Sequence, residues 1–289
     1  MCRATSVNAR KTRGFENLVF AGGGNRCFWQ AGFWSVTADA VGRAPARIAA
    51  VSAGAAVSCA LFSKTFDAGF TDFKRAVEAN QRNLYLKNLL RKRPVFPHGD
   101  MYRQAILNSI GPQALSQLHR GPDIRVLIAA PPRWASRGVA MALGMAAWGI
   151  DVLQGNGVHT SGGQRVGFRP LFISVRQCKS PETLADLIIA SSCVPPLTPQ
   201  ARREGVALFD GGILSNVPVD GIEQQTQGET LVLLTRQFST LPKVAGRTYV
   251  QPSQPIPVKV WDYTDASAMQ SAFDLGRRDG EKFCKTLKA

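Results

Sequence analysis

Histidine is scarce in this sequence: His98, His119 and His159 are the three present among 289 residues. Six cysteines (Cys2, Cys27, Cys59, Cys178, Cys193 and Cys284) are scattered, without a CxxC pair or a ligand-like histidine beside them. That spacing excludes a zinc site and, in a chain of this size, argues for buried or unpaired thiols in a reducing compartment over a disulfide frame. Long apolar runs are also missing. The longest, Gly138 to Ile150, ends at Asp151 and falls short of the roughly 20 residues a membrane-spanning helix needs. No apolar stretch of signal-peptide length follows the polar, basic segment Met1 to Asn17, so export through a cleaved signal is not expected. Repeats, low-complexity tracts and long charge blocks are absent. These exclusions leave a cytoplasmic protein, either soluble or peripheral at a membrane.

Negative charge is in the minority as well. There are 20 Asp+Glu against 35 Lys+Arg, a formal net charge of +15. Such an excess favours association with polyanions, whether nucleic acid or an anionic membrane surface, and charge alone does not choose between them. A basic stripe interleaved with aromatics would mark a nucleic-acid module, and the sequence has none, so no nucleic-acid partner is expected.

What is present reads as α/β. Leu18-Val19-Phe20-Ala21 is a short buried strand that ends in Gly22-Gly23-Gly24, and Phe28 to Val41 then follows a helical pattern. Ile48 to Val51 reads as a second strand and Ala53 to Phe66 as a second helix. Alternating strand and helix predicts parallel strands with crossover helices. Further strands are predicted at Ile124–Ala129, Leu171–Val175, Val206–Phe209 and Leu231–Thr235. Further helices are predicted at Thr71–Gln81, Asp100–Ile110, Pro181–Ser191 and Asp265–Leu287. The expected fold is a doubly wound, mostly parallel sheet with helices on both faces. A basic extension over 1–16 precedes one domain over 17–289, in which 80–122 reads as a cap or insertion and glycine-rich 155–167 as a flexible loop.

Three short motifs carry chemistry. In Gly22-Gly23-Gly24-Asn25-Arg26, three glycines between strand and helix uncover backbone N–H groups beside the positive end of a helix dipole, which suits a phosphate or an oxyanion. A dinucleotide fingerprint would need a third glycine where Cys27 stands, and a Walker loop would need a Gly-Lys-Ser/Thr ending that is missing. In Ala50-Val51-Ser52-Ala53-Gly54, a serine at a strand end enters a helix directly, the layout of a nucleophile elbow, with Ala50 at the first position of G-x-S-x-G. Phe209-Asp210-Gly211-Gly212 sets a carboxylate at a strand end before two glycines that keep it uncovered. Singly, each motif also fits a bland role: a plain βα turn, a helix N-cap, a common Asp-Gly-Gly turn. A triad in the order Ser, acid, His is not available, because no histidine follows Asp210. A serine hydrolase here must use the carboxylate directly. A free aspartate, with pKa of about 3.9, is a weak base for the task, and partial burial would raise it.

The motif set resembles the patatin-like phospholipase family, whose signature runs G-G-G-x-R/K, G-x-S-x-G and D-G-G/A in that order. Here these correspond to Gly22 to Arg26, to Ala50 to Gly54 with the altered first glycine, and to Asp210 to Gly212. Ala190-Ser191-Ser192-Cys193-Val194-Pro195 is similar to the family's A-S-x-A-x-P segment, and Asn216 and Pro218 match its N-x-P tail. The resemblance covers about Leu18 to Val219. It implies a metal-free and cofactor-free Ser52–Asp210 dyad acting on fatty-acyl esters of phospholipids or other lipids through an acyl-enzyme. It further implies an oxyanion hole from Gly22, Gly23, Gly24, Asn25 and Arg26, with Arg26 an anchor or phosphate contact, and turn support from Ala50, Gly54, Gly211 and Gly212.

Two segments bear on lipid contact. Arg82 to Phe96 mixes Leu84, Leu86, Leu89 and Leu90 with Lys87, Arg91, Lys92 and Arg93, which fits either a face for an anionic membrane or an ordinary surface helix. Gly138 to Ile150, with Met141, Met145 and Trp148, reads as a buried core helix, the alternative being the lining of an acyl-chain channel or a contact with lipid. Other functions compatible with the chain are a transacylase or thioesterase on the same fold, and a non-catalytic basic protein that binds membrane or nucleic acid.

Overall fold

The two strands that flank the glycine loop and the serine pair in parallel, with Leu18 opposite Ile48 and Phe20 opposite Ala50. The computed structural model describes residues 14–41, 45–153, 157–159, 162–203, 205–222 and 228–288. Its strands are β1 (Phe15–Phe20), β2 (Arg47–Val51), β3 (Asp123–Ala130), β4 (Arg169–Ser174), β5 (Ala201–Arg203), β6 (Val206–Asp210), β7 (Glu229–Leu233) and β8 (Arg247–Val250). Its helices are α1 (Phe28–Val41), α2 (Ala53–Phe62), α3 (Phe66–Ala79), α4 (His98–Ser109), α5 (Pro112–Arg120), α6 (Arg137–Leu153), α7 (Gly162–Arg165), α8 (Pro181–Ser191) and α9 (Ala266–Lys288). The strands form one eight-stranded sheet. β3, β2, β1, β7 and β8 pair in parallel, while β4, β5 and β6 join antiparallel at the β3 side.

The register at β3 positions the site. β4 pairs with residues 125–130 of β3, so β2 and β6 must share the opposite edge. β2 occupies that edge up to Val51 opposite Leu127, and β6 arrives from the other direction with Asp210 opposite Ile128. Two strands therefore meet end to end, one finishing just before Ser52 and the other at Asp210.

Side chains alternate across the sheet with period two. Leu18, Phe20, Ile48, Ala50, Ile124, Val126, Leu231 and Leu233 face the main core, with α1, α8 and α9 packed over it. Val19, Ala49, Val232 and Leu234 face Val217, Val219 and Ile222 on the other side, where Val51, Leu127 and Ala129 meet α6 through Ala140. Helix α9 lies directly on α1, which carries the chain out of the glycine loop: Trp29 Nε1 donates to Asp279 Oδ2 at 2.8 Å in the buried interface. A Cβ at Gly276 would collide with the Trp29 carbonyl oxygen, so the two backbones touch there.

Several expectations shift. The helix expected from Ala53 to Phe66 breaks at Ser63-Lys64-Thr65, where Lys64 turns to φ 60 and the Ser63 and Thr65 hydroxyls bond each other at 2.9 Å. The irregular region read over 80–122 narrows to 80–97, since α4 and α5 send Ile106, Ile110, Leu115 and Leu118 into the main core. Of the extension read over 1–16, residues 1–13 lie outside the described residues and β1 already begins at Phe15. In the stretch 155–167, residues 155, 156, 160 and 161 lie outside the described residues, and 162–165 form α7. The segment at 138–150 is helical but not a buried core helix: Ala140 and Ala147 are covered, while Met141 and Met145 are 40% and 71% exposed. Ala140, Leu143 and Ala147 face the protein, while Met141 and Met145 face out. The side chain of Trp148 lies outside the described residues.

Substituting alanine at Gly276 tests the α1–α9 contact. Helix propensity alone would stabilise the protein by about 1 kcal/mol. The collision with the Trp29 carbonyl outweighs it, and overpacking of this kind costs about 1–3 kcal/mol. Urea denaturation should therefore show Gly276→Ala to be less stable than the parent.

Candidate active site

Ser52 follows β2 and caps α2 with φ 54 and ψ −135, a backbone conformation that a residue with a Cβ rarely holds. The turn closes because Gly54 lies against β1: a Cβ there would stand 2.5 Å from the Ala21 carbonyl oxygen. Ala50 replaces the first glycine of the elbow pattern without cost, because it is a residue of β2 whose methyl is fully buried in the main core. A second anchor holds the elbow from the far side. The Ser52 amide donates to Ser191 Oγ at 2.8 Å, and Ser191 Oγ donates to the Leu127 carbonyl at 2.6 Å. Ser191 ends α8 and is fully buried. The sequence marked its segment by resemblance but gave it no role.

The end-to-end meeting of β2 and β6 brings Ser52 Oγ to donate to Asp210 Oδ2 at 2.8 Å. The other carboxylate oxygen accepts the Gly212 amide at 2.6 Å, and the Asp210 amide donates to the Cys193 carbonyl at 3.0 Å. The carboxyl is 8% exposed. Burial pushes its pKa up to about 6, while the bonds from Gly212 and Ser52 pull the other way. Asp210 is thus ionised at neutral pH yet far more basic than a solvated aspartate. The three histidines are bonded elsewhere: His98 to the Trp261 carbonyl, His119 to the Cys178 carbonyl, His159 to the Tyr249 hydroxyl. No group of three His, Cys, Asp or Glu among the described residues could hold a metal ion.

The glycine loop is fixed by bonds to one carbonyl. Gly22 C=O accepts Asn216 Nδ2 at 3.1 Å and Thr235 Oγ1 at 2.5 Å, and the Gly22 amide donates to the Asn216 carbonyl. The 22–23 peptide is planar, so pinning its carbonyl turns the Gly23 N–H the opposite way. Five loop residues were read as the oxyanion hole, Arg26 among them as an anchor or phosphate contact, and three of their amides are spent elsewhere. The amides of Gly22, Asn25 and Arg26 are already bonded to the carbonyls of Asn216, Val260 and Gly23. Gly23 and Gly24 are the loop residues whose amides have no partner among the described residues. Both line the cavity that Ser52 and Asp210 also line. Arg26 Nε donates to the Val258 carbonyl at 3.4 Å and Asn25 Nδ2 to the Asp262 carbonyl at 2.7 Å, so both side chains tether the loop. Neither Asn216 nor Thr235 had been read as a loop anchor from sequence. Asn216 stood out only as part of the N-x-P match, and Thr235 as a strand residue.

Two cavities meet at Ser52. One is a narrow slot of about 90 Å³ between α2, α3 and α4, walled by Val57, Phe66, Phe70, Phe73 and Ile106. The other is a mouth of about 680 Å³, reached by Arg26, Met141, Met145, Asp210 and Arg236. Trp261 lines both. A nucleophile with a basic carboxylate, two uncovered amides and an apolar slot is equipped for acyl transfer.

A family model for patatin-like phospholipases matches residues 18–222. The chain belongs to the patatin-like phospholipase family. Lipid acyl hydrolysis is the family's general chemistry and lipid esters are its substrate class. The fold is also similar to the crystal structure of VipD from Legionella pneumophila, with a TM-score of 0.42 and 9% identity over 94% of this chain and 67% of that one. No curated protein sequence matches the chain. Among the described residues, no helix of this patatin-like chain is long and apolar enough to cross a membrane.

Ser191→Ala leaves the Ser52 amide without its buried acceptor, a loss of about 1–3 kcal/mol. The variant should fold, melt at a lower temperature and hydrolyse a short-chain ester with reduced kcat and little change in KM. Unchanged kcat would remove Ser191 from the support of the elbow.

Proposed function

We propose that this protein cleaves fatty-acyl esters of phospholipids or related lipids through a Ser52–Asp210 dyad and an acyl-enzyme. The observation that carries this reading is the 2.8 Å bond from Ser52 Oγ to a buried, raised-pKa carboxylate, at the junction of an apolar slot and an open mouth. The acyl chain enters the slot between α2 and α3, and the rest of the lipid stays in the mouth. Asp210 Oδ2 takes the Ser52 proton as Oγ attacks the acyl carbonyl carbon. The amides of Gly23 and Gly24 stabilise the oxyanion, helped by the positive end of α2 behind Ser52. Protonated Asp210 then donates to the departing alkoxide, leaving Ser52 acylated. Water entering from the mouth gives its proton to Asp210 and attacks the acyl carbon. The fatty acid departs and Ser52 recovers its proton. No metal or cofactor enters any step. Arg26 and Arg236 supply positive charge in the mouth, which suits a phosphate-bearing head group. Because such substrates are held in bilayers, the reading also places the protein at a lipid surface while it works.

A fluorophosphonate probe should label the wild type and leave Ser52→Ala unlabelled; equal labelling of the two would remove Ser52 as nucleophile. Asp210→Asn should lose ester hydrolysis while keeping the fold. It should also gain stability at high pH. A carboxylate whose pKa rises from 3.8 to about 6 on folding holds its proton longer in the folded state. Its ionisation therefore costs stability, and the cost grows as pH rises from 3.8 through about 6. At roughly 1.4 kcal/mol per pH step, removing the charge is worth about 1–3 kcal/mol above that range. Thermal melts on both sides of that pH range measure it.

A further inference from the structure

The connection between α3 and α4, residues 80–97, takes no part in the chemistry above, and it displays what a folded protein normally covers. Its turn from Leu86 to Arg91 has no buried residue, and Leu86, Leu89 and Leu90 are 63%, 64% and 91% exposed. Three large apolar side chains within five residues, all turned outward, form a patch and not a scatter of single exposures. The turn is nonetheless built. Asn88 N–H donates to the Tyr85 carbonyl, Lys92 N–H to the Leu89 carbonyl and Arg93 N–H to the Asn88 carbonyl, with Asn88 Nδ2 reaching the Pro94 carbonyl at 2.8 Å.

Charge surrounds the leucines. Lys87, Arg91, Lys92 and Arg93 are exposed beside them, and residues 80–99 contain no Asp or Glu. No ion pair among the described residues engages any of these four. Apolar tips ringed by unpaired cations match the interfacial zone of an anionic bilayer, where leucines enter the acyl region and cations meet head groups.

Position ties this patch to the site. Asn80 Nδ2 donates to the Tyr263 carbonyl at 2.7 Å, Asn83 Nδ2 donates to Asp262 Oδ1 at 2.9 Å, and Asn83 Oδ1 accepts the Tyr263 amide at 2.8 Å. Those partners immediately follow Trp261, which lines both slot and mouth, and the Asp262 carbonyl holds the Asn25 side chain of the glycine loop. We infer that Leu86, Leu89 and Leu90, with Lys87, Arg91, Lys92 and Arg93, form a docking surface for an anionic lipid bilayer, fastened to the wall of the mouth. The proposal rests on the lipid-ester reading for its purpose, but its test measures binding with the nucleophile removed, so either can fail without the other.

The test is co-sedimentation of full-length Ser52→Ala protein with phosphatidylcholine vesicles, with and without phosphatidylglycerol. The protein should sediment with the anionic vesicles and much less with the neutral ones, and added salt should release it. Leu89→Glu with Leu90→Glu, and separately Lys87→Glu with Arg91→Glu, should each weaken anionic binding by about tenfold or more. Both double variants should keep the parent's circular dichroism spectrum and thermal midpoint, which shows that they are folded. Equal sedimentation with neutral and anionic vesicles, or undiminished binding by either folded double variant, would overturn the assignment.

Discussion

The structure depends on two strand ends meeting on one edge of β3. β2 runs along that edge in one direction and β6 in the other, and each stops where it would collide with its neighbour. Ser52 and Asp210 are the residues at the stops, which is why side chains 158 positions apart in sequence share a 2.8 Å hydrogen bond. The same junction buries the carboxylate, and burial raises its basicity to about 6. Geometry and proton affinity therefore have one source. In the proposed reaction an acid this basic accepts the serine proton near neutral pH without a histidine relay.

Around that bond lies a set of buried polar contacts that fix backbone direction. Ser191 holds the strained elbow by the Ser52 amide, Gly212 orients the carboxylate, and Asn216 with Thr235 holds the Gly22 carbonyl so that the next amide faces the cavity. These anchors come from α8, the turn after β6 and the end of β7, so the site is assembled from across the sheet. Strain at Ser52 persists because several independent contacts over-determine it. In the proposed reaction these amides and the fixed carboxylate need little rearrangement as charge develops, the condition under which such dipoles act most strongly.

Much of this was legible in the sequence. β1, β2 and β7 were readable from short apolar runs, because both faces of each are buried, and α1 and α8 from helical patterns whose residues are mostly covered. Ser52 and Asp210 stood out because strand-end serine and aspartate beside small residues are unusual, and the lack of a histidine after Asp210 pointed to a dyad. The division of labour within the glycine loop was not legible: which amides are spent on Asn216 and Val260 depends on chain that returns more than 190 residues later. Likewise β5 and β8 are short and half polar, and they exist only because neighbouring strands offer an edge. The α6 segment misled because its composition is apolar throughout, whereas one face, with Ala140, Leu143 and Ala147, meets the protein and Met141 and Met145 face the mouth. The leucine–arginine turn could be read as amphipathic but not as unpacked, since what covers a residue is decided by distant elements.

The central claim is that a buried aspartate, acting alone on Ser52, is the base. The pH dependence of kcat/KM on a soluble ester tests it most directly, because this quantity reports the ionisation of the unliganded enzyme. The account predicts that kcat/KM rises with pH through a single ionisation near 6, the value to which burial pushes Asp210. A profile flat across that range, or the same rise persisting in Asp210→Asn, would contradict it.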